Sequence, residues 1–217
     1  MDEQRVVPAA LEQRRGQLGA GLDRLGLAAT IDQQDALLRF LALMQRWNRS
    51  YNLSAVTEPA EMVARHLLDS LALAPYLDGS RFIDAGTGPG LPGVPLAILY
   101  PDRRFVLLDS NGKKIRFLNH VRRELGLENI EPVQARLEAY RSTPAPDAIL
   151  ARALAPLARL AAWADYWLAR GVPLLAMKGD LSESERRAVP APYNVTLVEL
   201  EVPGLHARRC LATVGKK

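Results

Sequence analysis

Phe82-Ile83-Asp84-Ala85-Gly86-Thr87-Gly88-Pro89-Gly90-Leu91-Pro92-Gly93 is the stretch that decides the fold. A short apolar run with strand character enters a turn carrying glycine at every second position, and a helix follows. Glycine serves such a turn because it adopts positive φ and because the missing Cβ lets backbone N–H groups approach a bound group. In sheets whose strands are joined by helices, ligands lie outside the carboxyl ends of the strands. The turn therefore marks a cleft. A simple turn is the plain alternative, but three alternating glycines behind an aspartate exceed what it needs.

Two parses of the turn compete. Gly88-Pro89-Gly90-Leu91-Pro92-Gly93 satisfies the dinucleotide pattern G-x-G-x-x-G, in which the first glycine directly follows the strand. Gly88 lies three residues past Ala85, whereas Gly86 is correctly placed. The glycine turn of an S-adenosylmethionine enzyme fits better than that of a nicotinamide enzyme. Asp84 either caps the turn locally or orients it and reaches the ligand's amino group through water. Asp109 stands 23 positions after Gly86 at the end of the next apolar run. There an acidic side chain accepts hydrogen bonds from both ribose hydroxyls, in nicotinamide enzymes as well. Asp109 thus indicates an adenosyl ribose and not a methyl donor. Gln134-Ala135-Arg136-Leu137-Glu138 falls where an adenine ring would be slotted, with Leu137 either bracketing the base or belonging to the core.

Outward from this centre, the apolar runs are 81–85, 105–109, 130–134, 148–151 and 172–178, nearly continuous as in strands buried on both faces of a parallel sheet. Two further runs, Tyr193–Val202 and His206–Val214, joined by Pro203-Gly204, predict a hairpin at one edge. A helix from Lys113 to Leu125 ends at Gly126 as its cap. Before residue 78 the spacing is helical throughout: Thr30 and Gln33 form a capping box, and Thr57 with Pro59 opens a helix carrying Val63, Leu67 and Leu71. The fold class is α/β, a Rossmann-like, mostly parallel seven-stranded sheet with an antiparallel edge hairpin. Residues 1–77 are a helical extension packed on the core, 78–217.

Composition narrows the setting. The chain has 217 residues, 48% of them hydrophobic, and a net charge of +4. One well-buried core is expected. The longest apolar run, around Leu71–Leu77, is too short to span a membrane, and the region of Asp2, Glu3 and Arg5 has no apolar core of a secretory signal. A cytoplasmic monomer is expected. Cys210 is the only cysteine, which excludes an internal disulfide or a cysteine-based zinc site, and no metal is expected. Basic residues crowd two places: Lys113, Lys114, Arg116, His120, Arg122 and Arg123, and then Arg208, Arg209, Lys216 and Lys217. Each is either a solvated surface or a contact for a polyanion.

Missing residues narrow the acceptor. Methylation of pyrimidine carbon 5 needs a cysteine nucleophile, and Cys210 lies in the last predicted strand. Enzymes acting on exocyclic amines carry Asn or Asp with two prolines after the fourth strand, where this chain reads Ala151-Arg152-Ala153-Leu154. A ribose 2'-hydroxyl calls for lysines and carboxylates; Lys178 ends the fifth strand, but Arg152 replaces the acid. A ring nitrogen such as guanine N7 needs no base, and alignment is most of its catalysis. Arg152 then reads as a cofactor or phosphate clamp, with a plain surface arginine as the alternative.

The residues Trp47-Asn48, Tyr51-Asn52-Leu53-Ser54, Arg65-His66-Leu67-Leu68-Asp69-Ser70, the glycine stretch 82–93, Leu108-Asp109-Ser110 and Ala151-Arg152-Ala153 together resemble the bacterial small-subunit ribosomal RNA guanine-N7 methyltransferases, the glucose-inhibited division protein B family. The resemblance runs from about Arg46 to Lys217. It implies a class I methyltransferase fold with a helical cap, S-adenosylmethionine as donor, and a guanine in a loop of 16S ribosomal RNA, free or in the small subunit, as acceptor. Carried over, the cofactor contacts fall on Gly86, Leu91, Leu137, Glu138 and Arg152, beside Gly88, Gly90, Asp109 and Ser110 of the same motifs. His66, Asp69 and Ser70 share a helical face and with Asn52 would lie near the cleft mouth, so these four and Lys178 are the candidates for the guanine site; helix capping and a buried polar network are their plainer roles. Ser54 and Ala151 stand where threonine and serine are common. Rival functions are a class I O-methyltransferase acting on a small molecule or a ribose 2'-OH, a nucleotide-sensing assembly protein, and a nicotinamide-linked enzyme.

Overall fold

The computed structural model describes residues 7–216, so Asp2, Glu3, Arg5 and Lys217 lie outside the described residues. The seven apolar runs form β1 (Arg81–Ala85), β2 (Arg104–Asp109), β3 (Ile130–Gln134), β4 (Ala148–Arg152), β5 (Leu174–Lys178), β6 (Tyr193–Glu199) and β7 (Cys210–Lys216). They make one sheet ordered β3-β2-β1-β4-β5-β7-β6. The first five strands pair in parallel, and β7 is antiparallel to both its neighbours. Pro132 is tolerated because β3 is an edge strand, where a missing N–H donor costs little.

The helices are α1 (Ala9–Glu12), α2 (Arg15–Arg24), α3 (Ile31–Tyr51), α4 (Pro59–Met62), α5 (Asp69–Leu71), α6 (Gly93–Leu99), α7 (Gly112–Leu125), α8 (Leu157–Leu168) and α9 (Glu183–Arg187), with a π-helical segment, Val63–Leu68, joining α4 to α5. Side chains alternate across the strands with period two. Phe82, Phe105, Leu107 and Leu150 join Leu18, Leu37, Leu41 and Leu118 in one apolar cluster. Ile83, Leu108, Ile149 and Leu174 join Leu157, Leu160 and Trp167 in the other. Phe82 and Phe105 stack with ring centroids 5.3 Å apart; burying each such side chain is worth about 1.5–3 kcal/mol.

The helices before β1 are tied to the sheet's flank by polar contacts as well. Thr30 and Gln33 form the capping box, and the Gln33 amide also donates to the carbonyls of Ile98 and Leu99, both at 3.0 Å. Two local expectations need correction. The helix at 59 is capped by Glu58, whose carboxylate accepts from the Glu61 N–H, and Thr57 lies outside it, because Pro59 at the first turn leaves the preceding residue as the cap. The edge hairpin exists, but its strands stop at Glu199 and resume at Cys210. Pro203-Gly204 does make a tight turn, with Gly204 at φ +77° and the Leu205 N–H bonded to the Val202 carbonyl. That turn sits inside a longer connection whose Val202 is buried and whose Gly204 lies close to Ala64 of the π segment.

Candidate active site

The glycine turn leaves the carboxyl end of β1 at the centre of the sheet. Gly86 has φ +63°, and a Cβ there would run into the Leu154 side chain. Both facts require glycine. Asp84, fully buried, fixes the turn: its Oδ2 accepts from the Thr87 hydroxyl at 2.6 Å and from the Gly93 N–H at 2.8 Å, the latter at the first turn of α6. Gly93 is needed for this approach, since a Cβ on it would come within 2.7 Å of that oxygen. Burial raises the Asp84 carboxyl to about 6 against the opposing hydrogen bonds of Thr87 and Gly93 and the charge of Arg152. Asp84 thus orients the turn.

Asp109 ends β2 facing the same turn. Its Oδ2 accepts from the Gly88 N–H at 3.1 Å and from the Lys114 ammonium at 3.3 Å, and its Oδ1 accepts from the Asn111 N–H at 2.8 Å. A cleft of about 390 Å³ opens beside it between Gly86, Ser110, Leu137 and Glu138. Lys114, Leu154 and Trp163 also line it. Leu137 is buried; Glu138 is exposed, 3.8 Å from Arg136. Leu91 is buried in the apolar cluster, holding the turn from behind with its N–H on the Thr87 carbonyl. Trp163 and Leu154 escaped sequence reasoning because they come from α8 and the turn after β4, where no local pattern marks a wall of the cleft. In the sequence Lys114 is one charge of a basic run, with nothing local to set it beside Asp109.

A second polar group lies at the ends of β4 and β7. Asp69, 2% exposed, accepts from Arg152 Nη1 at 2.7 Å and from Arg209 Nε at 2.8 Å. Arg152 also donates to the Arg65 carbonyl. Ser70, fully buried, donates to the carbonyl of His66. His66 Nε2 lies 2.9 Å from the Ser54 hydroxyl, which accepts from the Val56 N–H, while His66 Nδ1 is buried without a partner. Desolvation, then Arg152, pushes the imidazole down to about 4, so it is neutral at pH 7. Asn52 is exposed and caps α3 at φ +48°, a left-handed conformation that asparagine tolerates. Lys178 turns away from a free base's role: its ammonium donates to the Ala155 carbonyl and pairs with Glu185 at 2.8 Å. Arg152 therefore links the two groups of residues, since its charge acts on both His66 and Asp84. Arg209 was legible only as a terminal charge.

The two shifted groups predict opposing pH slopes. Between about 4 and 6.5 the unfolded chain binds a proton at His66 that the folded chain refuses, so this contribution is full above 6.5 and is lost as pH falls. Between 3.8 and about 6 the folded chain keeps a proton at Asp84 that the unfolded chain has released, so stability is lost as pH rises through that window. Each slope is about 1.4 kcal/mol per pH unit, and from about pH 4 to 6 they cancel. His66→Gln should gain stability relative to the parent on acidification and Asp84→Asn should lose it, each by up to about 3 kcal/mol. Urea unfolding across this range checks it; variant curves parallel to the parent's would contradict the assignment.

The sheet, with its cleft at the carboxyl ends of β1 and β2, has the Rossmann-like class I methyltransferase fold. A solved structure of MtNAS with MTA and tNA superposes with TM-score 0.55 at 14% identity, covering 100% of this chain and 91% of that one. TrmN from Thermus thermophilus superposes with TM-score 0.50 at 20% identity over 71% of this chain and 53% of that one. Sequence goes further: residues 33–212 match the family model described as GidB, rRNA small subunit methyltransferase G, and the chain belongs to that family. The ribosomal RNA small subunit methyltransferase G of Methylococcus capsulatus is 51% identical over 195 residues, 90% of this chain and 95% of that protein. That of Salmonella arizonae is 47% identical over 194 residues, 89% of this chain and 94% of that protein.

Proposed function

We propose that the protein transfers the methyl group of S-adenosylmethionine to N7 of a guanine in a loop of 16S ribosomal RNA, as a cytoplasmic monomer. The observation that carries the donor is the Gly86 turn facing Asp109: a positive-φ glycine packed so closely on Leu154 that no Cβ fits, beside a carboxylate held on one wall of an open cleft. Family membership supports the ribosomal RNA as acceptor. In this assignment Gly86, Gly88, Gly90 and Leu91 shape the turn, Asp109 and Ser110 face the ribose, Leu137 and Glu138 bracket the adenine, and Arg152 clamps the donor or a phosphate. Bound there, the donor supplies an activated methyl on sulfonium, and no metal is called for.

The chain's own part is alignment. N7 offers a free lone pair, so no proton leaves and no base is required. The candidate guanine-site side chains suit that economy: His66 is neutral and engaged by Ser54, and Lys178 is committed to Glu185. Asn52, His66, Asp69 and Ser70 set the wall toward which the guanine would be brought, with Asp69 holding Arg152 and Arg209 in place. The paired state of Lys178 disfavours transfer to a ribose hydroxyl. Residues 7–77 act in this scheme as a cap on the core formed by 78–216.

The test is transfer of radiolabelled methyl to protein-free small-subunit RNA and to whole subunits from cells lacking the protein. Label should enter the RNA at a site cleaved after borohydride and aniline treatment. Label entering only small molecules, or RNA resistant to that cleavage, would overturn the proposal.

A further inference from the structure

The basic run on α7 becomes a surface only in three dimensions. Lys113, Arg116, His120 and Arg123 follow helical spacing and so lie along one face, spanning about 15 Å of helix axis. Lys113, Arg116 and Arg123 are exposed. Helix α3 packs antiparallel to α7, as Arg39 bonds the Glu124 carbonyl at one end and Trp47 meets Phe117 and His120 with ring centroids 5.5 and 5.2 Å away nearer the other. This places the exposed Arg46 close enough to His120 to lower its pKa, after desolvation and Arg123, with exposed Arg49 one turn on. Among the described residues, none of Arg46, Arg49, Lys113, Arg116 or Arg123 has a carboxylate within ion-pair distance.

Unpaired cations in a row repel one another and are commonly offset by interspersed acids. Glu124 is the acid on this helix, and it faces His120 at 3.8 Å, leaving the guanidiniums free. The row also has a direction. The helix's first turn holds Lys114, which lines the cleft beside Asp109, so the row begins beside the proposed donor cleft and leads away from it. Trp47 and Tyr51, partly buried against the core with rings 4.9 Å apart, flank it from α3. Cations tracking a backbone beside aromatic faces are what a single-stranded nucleic acid requires.

We infer that the joint face of α3 and α7, carried by Arg46, Arg49, Lys113, Arg116 and Arg123, holds the phosphate backbone of the RNA segment flanking the target nucleotide. The inference rests on the proposed RNA acceptor and names the surface that docks it. Contacts of this kind position the RNA and carry no sequence information.

The test measures binding of fluorescently labelled, protein-free small-subunit RNA across a salt series, using the parent chain, the triple variant Lys113→Gln/Arg116→Gln/Arg123→Gln, and a control, Arg24→Gln/Arg81→Gln/Lys216→Gln, that removes equal charge elsewhere. Each lost single-strand phosphate contact lowers the slope of log affinity against log salt by about 0.7. The triple variant should therefore show a slope shallower by about 2 and an affinity lower by roughly 10- to 100-fold at moderate salt. Its S-adenosylmethionine affinity should stay unchanged, and the control should track the parent. An unchanged slope, an equal loss in the control, or a loss seen with assembled subunits but not with protein-free RNA would overturn the surface; the last would assign the face to a ribosomal protein. Parent protein that binds RNA in this way yet methylates none of it would overturn the proposed reaction and leave the surface standing. No RNA binding by the parent would overturn both.

Discussion

A Gly86→Asp chain is expected to fold and to lose S-adenosylmethionine affinity by more than about 100-fold, or roughly 2.7 kcal/mol. Three effects point the same way. The residue sits at φ +63°, where an L side chain costs about 1–2 kcal/mol. Its Cβ enters the space of Leu154, so either the leucine moves across the cleft it lines or the turn shifts. The new carboxylate then joins Asp109 at the same cleft, placing a second negative charge where one carboxylate is proposed to accept from the ribose hydroxyls. Gly86→Ala separates these effects, keeping the first two and removing the third, and should lose less. Calorimetric titration reads the affinity and a thermal melt confirms folding. Donor affinity equal to the parent's would refute the assignment of the turn.

Asp69→Asn is expected to cost about 3–5 kcal/mol of stability, because it strips the negative partner from two guanidiniums that are themselves largely buried. For a chain of this length that is roughly 10 °C in Tm. Asparagine keeps one acceptor oxygen but turns an amide NH2 toward the other arginine, so one of the two short contacts becomes donor against donor. A double-mutant cycle with Arg209→Gln tests the mechanism. Once Asp69 is neutral, removing Arg209 should cost less than it does in the parent, with a coupling of about 0.5–3 kcal/mol. Strict additivity, or an unchanged Tm for Asp69→Asn, would show that the carboxylate does not hold the two arginines together.

What could be read from the chain, and what could not, follows from sequence distance. Strands β1, β2 and β4 announced themselves because burial on both faces leaves an unbroken apolar run, and the turn at Gly86 because its conformation excludes other residues. Asp109 was found by its fixed offset from that turn, a spacing set by one helix and one strand. The Asp69 group has no such offset: its partners stand 83 and 140 positions away, and nothing local in Arg209 separates it from Arg208 beside it. The π-helical segment left no mark either, since Val63, Leu67 and Leu71 satisfy ordinary helical periodicity. Trp163 looked like any apolar residue of α8 until the cleft was formed around it. The hairpin's turn was legible and its strands were overdrawn, because Val202 is buried by packing and not by strand pairing, and only the Leu200 N–H, on the Arg209 carbonyl, carries the backbone bonding past Glu199.

The strand order β5-β7-β6 carries one more consequence, for the sequence of events in folding. β6 bonds only to β7, and β7 alone joins it to the rest of the sheet. β6 therefore has no seat until β7 arrives, however early it emerges, and the two must dock together or with β7 leading. The residue that enters the sheet's margin with β7 is Arg209, which closes on Asp69. Completion of the sheet and completion of the arginine pair are thus a single closing step, and a chain whose last strand has not docked lacks both.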